Sequence, residues 1–133
     1  KMKILANLLV AIHNVSTAEV MVLGMKAGLD PELIYRVMND SSGRSRMLEV
    51  RGPRMVRNDY ENPSMKVKVF QKDLKIIESF ASDLNCPTPL FADCIQVYLG
   101  AMAMGFENKD TASVCAVLEE WAHLKRDKRK RRK

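Results

Sequence analysis

Residues 1–28 read KMKILANLLVAIHNVSTAEVMVLGMKAG, and this stretch decides the fold. Its apolar residues Ile4, Leu5, Leu8, Leu9, Val10, Ile12, Val15, Val20, Met21, Val22 and Leu23 fall on nearly every side of a 3.6-residue helix. That pattern predicts one long helix covered by neighbours on most faces. Lys3, Asn7 and Asn14 are set into this apolar rod. The i, i+4 spacing stacks Lys3 and Asn7 on one face, and Asn14 follows about two turns later. A lysine and an amide buried on one face need a partner or a chemical job. The plain alternative is a solvated lysine near the start of the chain and a hydrogen-bonded structural asparagine. The residues alone leave both open.

The chain has 133 residues, one domain's worth with enough apolar content to bury a core. Aromatic residues are few, and no stretch alternates apolar and polar residues long enough to argue for a sheet. The expected fold class is therefore all-α, a helical bundle built around the long first helix. Three cysteines, Cys86, Cys94 and Cys115, are odd in number and lack metal-ligand spacing, which points to a reducing compartment. Asn7, His13, Asn14, Ser16, Thr17 and Glu19 make the first helix a poor membrane span, so a cytoplasmic location is expected. The chain opens inside helix and without an initiator methionine, as a piece of a longer protein would.

The net charge of +6 is unevenly placed. Residues 125–133, KRDKRKRRK, carry +7, which leaves −1 for the other 124. This separates a body, 1–124, from a basic tail, 125–133, expected to be a disordered, solvated extension. A tail of that kind is also a possible polyanion hook.

Along the body, Ala27-Gly28-Leu29-Asp30-Pro31 ends the first helix and starts the next, by a C-terminal glycine, an N-cap Asp and a proline at the first helical position. A helix over Pro31 to Met38 follows. Ser41 or Ser42 is expected to cap a short helix from Arg44 to Val50, which Arg51-Gly52-Pro53 should interrupt. Arg54 to Pro63 reads as an irregular surface excursion. Ser64 to Leu84 is expected to be helical, with Val67, Phe70, Leu74, Ile77, Phe80, Ala81 and Leu84 inward. Leu90 to Met104 should present Ile95, Tyr98, Leu99 and Met102. Thr111 to about Leu124 should present Val114, Val117, Leu118 and Trp121. The glycines do not form a phosphate loop, and no serine or histidine arrangement supports hydrolytic or metal chemistry.

One ordered series of segments is informative. It comprises Lys3-Ile4-Leu5-Ala6-Asn7 (KxxxN), Ala18-Glu19, Lys26-Ala27-Gly28-Leu29-Asp30-Pro31, Ser41-Ser42-Gly43-Arg44-Ser45, Gln71-Lys72-Asp73-Leu74, Pro87-Thr88-Pro89-Leu90, and Gly105 with Lys109-Asp110. In order and spacing the series resembles the C-terminal domain of the β-hydroxyacid dehydrogenases, the family of 3-hydroxyisobutyrate dehydrogenase, tartronate semialdehyde reductase and threonate dehydrogenase. It covers about residues 1–120.

The resemblance implies a helical fold like the C-terminal domain of 6-phosphogluconate dehydrogenase. It also implies an NAD- or NADP-dependent hydroxyacid dehydrogenase whose Rossmann domain lies upstream of Lys1, with a small hydroxy acid as substrate. Residue by residue, Lys3 would be the catalytic acid/base, Asn7 would hold substrate, and Lys72 would lie at the cofactor, with Asp73 in a supporting role. Two positions depart from the pattern. Ala6 stands where relatives often have Asn or, in the phosphogluconate enzymes, His. Met65 stands seven residues before Lys72, where Phe is frequent. The run Ser64-Met65-Lys66-Val67-Lys68 looks most like the threonate branch.

Self-association, as a homodimer or higher homo-oligomer, is expected from the apolar first helix. The contrasting possibility is a non-catalytic helical interaction module that binds polyanions through its basic tail.

Overall fold

A computed structural model describes residues 1–127; the part of the basic tail at 128–133 lies outside the described residues. Six α-helices account for most of the chain: α1 (Met2–Lys26), α2 (Pro31–Asn39), α3 (Arg46–Arg57), α4 (Val67–Asp83), α5 (Pro89–Ala103) and α6 (Val114–Trp121). A 3-10 turn at Thr111–Ser113 leads into α6. Among the described residues the only extended pairing is an isolated antiparallel bridge, Lys66 to Asp110. The fold is all-helical, as expected, and α1 packs against each of the other helices.

The end of α1 follows its sequence signals. Gly28 adopts φ 89°, a left-handed conformation that costs glycine nothing. This lets Leu29 N donate to Gly24 O at 3.0 Å, the closing bond of a Schellman turn. Asp30 then caps α2 by accepting from Leu33 N, with Pro31 in the first turn.

Along its length α1 departs from expectation. Its buried residues are Ala11, Asn14, Val15, Thr17, Ala18, Met21 and Val22. None lies in the first ten positions, where Met2, Leu5 and Leu9 are 81%, 50% and 52% exposed. By length and composition α1 could cross a membrane, with mean hydropathy 1.6 in its most apolar window. Its second half is nonetheless a core helix with bonded polar groups. Asn14 Nδ2 donates to Tyr98 Oη and to Thr111 O, and Tyr98 Oη donates to Ala11 O at 3.0 Å. The structural reading of Asn14 holds.

The short helix expected to stop before Arg51 instead runs through Gly52 and Pro53 to Arg57. Pro53 has no N–H to give to Glu49 O, four residues back. Tyr35 supplies the missing donor, its hydroxyl lying 3.2 Å from Glu49 O. Tyr35 comes this close because position 52 is glycine: a Cβ there would lie 2.6 and 2.7 Å from its ring carbons. The cap on α3 is Ser45, which accepts from Leu48 N, whereas Ser41 is occupied with Met38 O and Gly43 N. The excursion after Arg57 also turns inward at Tyr60, which is buried. Leu84, Leu99 and Trp121, expected inside, are 63%, 47% and 55% exposed; Leu84 stands just past the last residue of α4, and Leu99 points away from the face of α5 that buries Cys94, Val97, Tyr98 and Ala101.

Asp110 ties these pieces together. Its carboxylate has no exposure and accepts from Arg51 Nη1 at 2.8 Å, Ser64 N at 3.0 Å and Ala112 N at 2.9 Å. Its own N–H donates to Tyr60 O at 2.9 Å. Flanking it, Val67 N donates to Lys109 O and Thr111 N to Met65 O, both at 3.0 Å. One carboxylate thus fixes α3, the 58–66 segment, the start of α4 and the turn into α6.

Two substitutions test this account. Asp110→Ala leaves Arg51 buried without its counter-charge and is expected to cost about 3–5 kcal/mol in urea unfolding. Gly52→Ala gains about 1 kcal/mol of helix propensity but forces overpacking against Tyr35, at about 1–3 kcal/mol. The net loss should fall sharply in a Tyr35→Ala background.

Candidate active site

Lys3 and Asn7 occupy the exposed first half of α1, one turn apart on the same face. Lys3 is exposed and Asn7 half-buried, and neither side chain forms a hydrogen bond or ion pair with another described residue. The lysine is therefore not set in an apolar pocket by the described residues, contrary to the expectation of an enclosing rod.

Helix α4 runs antiparallel beside this half of α1. Its start is held at the 109–111 strip, where Asn14 also bonds. Its later turns, Lys75, Ile76, Ser79, Phe80 and Asp83, form a groove of about 380 Å³ with Ile4. Counting about 1.5 Å per residue from Asn14 and Val67, Asn7 lies about 10 Å and Lys72 about 8 Å along the shared direction. Lys72 is thus level with Asn7 to within one turn.

Lys72 is exposed, away from the buried stripe of Val67, Phe70, Leu74 and Ile77. Sequence reading isolated it, but the structure places it among others. Lys68, one turn before, and Lys75, three residues after, are also exposed and share its side of the helix. None of the three is ion-paired with a described residue. The i, i+4 and i, i+3 spacing of these lysines was visible in the sequence and was the available signal. A cationic strip of this kind attracts anions. Asp73, half-buried on the neighbouring strip, forms no hydrogen bond or ion pair with a described residue.

A second polar centre lies at the other end of the molecule. After α6, His123 in a left-handed conformation (φ 50°) reverses the chain, and Leu124 N donates to Glu119 O at 2.8 Å. This returns Arg126 to the interior, so the second residue of the run expected to be solvated is anchored. Its Nε donates to Glu119 Oε1 at 2.8 Å, Nη1 to Val56 O at 2.9 Å and Nη2 to Met55 O at 2.6 Å. Nη2 also donates to Glu119 Oε1. Burial works against the Arg126 charge, but the Glu119 carboxylate outweighs it and raises the pKa. Behind the guanidinium, Cys115 is fully buried. Burial and then the Glu119 charge push its thiol up to about 12. Tyr60, beside it, is raised by the same two causes together with the thiol itself.

Residues 1–118 match a family model described as NAD-binding of NADP-dependent 3-hydroxyisobutyrate dehydrogenase. The chain is 35% identical to an L-threonate dehydrogenase of Cupriavidus necator over 88% of its length and 39% of that protein's. It is 34% identical to the mitochondrial 3-hydroxyisobutyrate dehydrogenase of Bos taurus over 89% of its length and 37% of that protein's. The crystal structure of a 3-hydroxyisobutyrate dehydrogenase from Salmonella typhimurium superposes with TM-score 0.83 at 31% identity, covering 87% of this chain and 40% of that one. The chain thus spans about two fifths of the length of these relatives.

The buried thiols set an alkaline limit on stability. Cys94, raised by burial and by Glu19 to about 11, and Cys115, at about 12, both favour the neutral form in the fold. The unfolded chain releases these protons first, so their contribution is complete below pH 9 and is lost as pH rises through 11 to 12. Urea midpoints should show this loss above pH 9, and Cys115→Ala should flatten it.

Proposed function

The chain belongs to the β-hydroxyacid dehydrogenase family, whose members use NAD(P), and from that premise we propose that residues 1–124 form the C-terminal, substrate-holding domain of a cytoplasmic enzyme that oxidises a small hydroxy acid. The observation that carries this reading is the placing of Lys3 and Asn7 on α1 alongside α4, whose exposed Lys68, Lys72 and Lys75 form a cationic strip with Lys72 within about one turn of the level of Asn7. All these side chains are free of partners among the described residues.

In this reading Lys3 Nζ accepts the hydroxyl proton as hydride departs and returns a proton in the reverse direction. The amide of Asn7 donates a hydrogen bond to the substrate and brings no charge near Lys3. Lys72, with Lys68 and Lys75, would hold the anionic part of the dinucleotide. The bound nicotinamide supplies the hydride acceptor. The Ser64-Met65-Lys66-Val67-Lys68 run and the identity to an L-threonate dehydrogenase favour a polyhydroxylated acid as substrate.

Desolvation is what turns a lysine into a base near neutral pH, and the described residues do not desolvate Lys3. Its cover is proposed to come from a dinucleotide-binding domain upstream and from a second copy of the chain. The exposed row of Met2, Leu5 and Leu9 offers both an apolar surface to close on. Nothing among the described residues favours the interaction-module alternative.

The test restores the sequence upstream of Lys1 and follows nicotinamide reduction with a panel of hydroxy acids. Lys3→Met should lower kcat by about 10² or more with cofactor affinity unchanged, because in this reading Lys3 acts on the substrate hydroxyl and not on the dinucleotide. Turnover indifferent to Lys3, or absent with every acid, would sink the proposal.

A further inference from the structure

The Arg126 site has a feature that a simple surface ion pair lacks: its acceptors are arranged for a planar fork. Glu119, with only 8% exposure, offers Oε1 to both Nε and Nη2. The carbonyls of Met55 and Val56, at the end of α3, take the two terminal nitrogens. Helix-end carbonyls carry partial negative charge, and although Met55 O also accepts from Asn58 N at 3.3 Å, the site joins a full and a partial negative charge around one guanidinium. A lysine ammonium is a compact point charge and cannot span the carboxylate and both carbonyls. Glu119 and Arg126 both lie beyond the residues matched by the family model, 1–118.

The site is also reachable. Arg126 lines a cavity of about 580 Å³ together with Met25, Leu29, Val56, Arg57 and Leu124. That cavity lies at the opposite end of α1 from Lys3, so the site stands independently of the dehydrogenase chemistry.

We propose that Glu119, Met55 O and Val56 O form a guanidinium-binding socket, filled in cis by Arg126 on a short strap after α6 and able to take a guanidinium ligand from solution when the strap is withdrawn. The strap closes α6 onto α3 and covers Cys115, whose Sγ lies 4.0 Å from Arg126 Nη2.

The experiment uses the 133-residue chain with Cys86, an exposed thiol, changed to Ser. Arg126→Ala and Arg126→Lys are compared by thermal unfolding and by thiol alkylation. Both variants should lose roughly 10 °C in Tm, and alkylation of Cys115 should quicken at least tenfold in both. Adding 10 mM methylguanidinium should return about 3–5 °C to Arg126→Ala and slow alkylation, whereas 10 mM methylammonium should do neither. Glu119→Gln in the same background should abolish the rescue.

The socket is refuted if Arg126→Lys melts like the wild type, or if methylammonium rescues as well as methylguanidinium. If a variant does not fold, refolding on addition of methylguanidinium supports the socket and failure to refold overturns it.

Discussion

The buried carboxylate of Asp110 is the constraint from which the rest of the arrangement follows. A charge with no solvent access persists only if several donors surround it. Here Arg51, Ser64 and Ala112 come from three separate segments to meet it. Meeting it fixes where α3 lies and where α4 begins. Because α4 then runs back along the first half of α1, the same carboxylate sets the level of Lys72 relative to Asn7. The residues proposed for chemistry are bonded to nothing among the described residues; what locates them is a polar knot some turns away.

Elements governed by local chemistry were legible in the sequence. The turn from α1 to α2 needs only Gly28, Asp30 and Pro31, all within reach of one another, and it forms as read. Elements governed by distant partners were not. Gly52-Pro53 carries every local mark of a helix break, and its meaning reverses once Tyr35, 14 residues from Glu49, supplies the absent donor. Arg51 and Asp110 are separated by 59 positions, so nothing in either neighbourhood announces their pairing. Arg126 was submerged in a run of like charges, where only the turn at His123 distinguishes it.

The candidate site was legible in a different sense. Lys3, Asn7 and Lys72 were singled out by resemblance, and the structure adds a level and a surface rather than a contact. Periodicity overestimated the cover on α1, because an apolar row signals that a face is suited to burial without stating which chain buries it. The exposed Met2, Leu5 and Leu9 and the half-buried Asn7 mark the limit of what this chain alone encloses.

The bonds of Asn14 have a consequence in time. Its partners Tyr98 and Thr111 lie 84 and 97 residues further along, so the polar bonds of α1 are completed long after the helix itself is made. At ribosomal speeds of about 5–20 residues per second, roughly 5 to 20 s separate the synthesis of Asn14 from that of Thr111. Through that interval Asn14 lacks both of its bonding partners, and its amide stays hydrated because nothing has yet replaced water. An amide made early is therefore satisfied late, once α5 and the turn into α6 have been made.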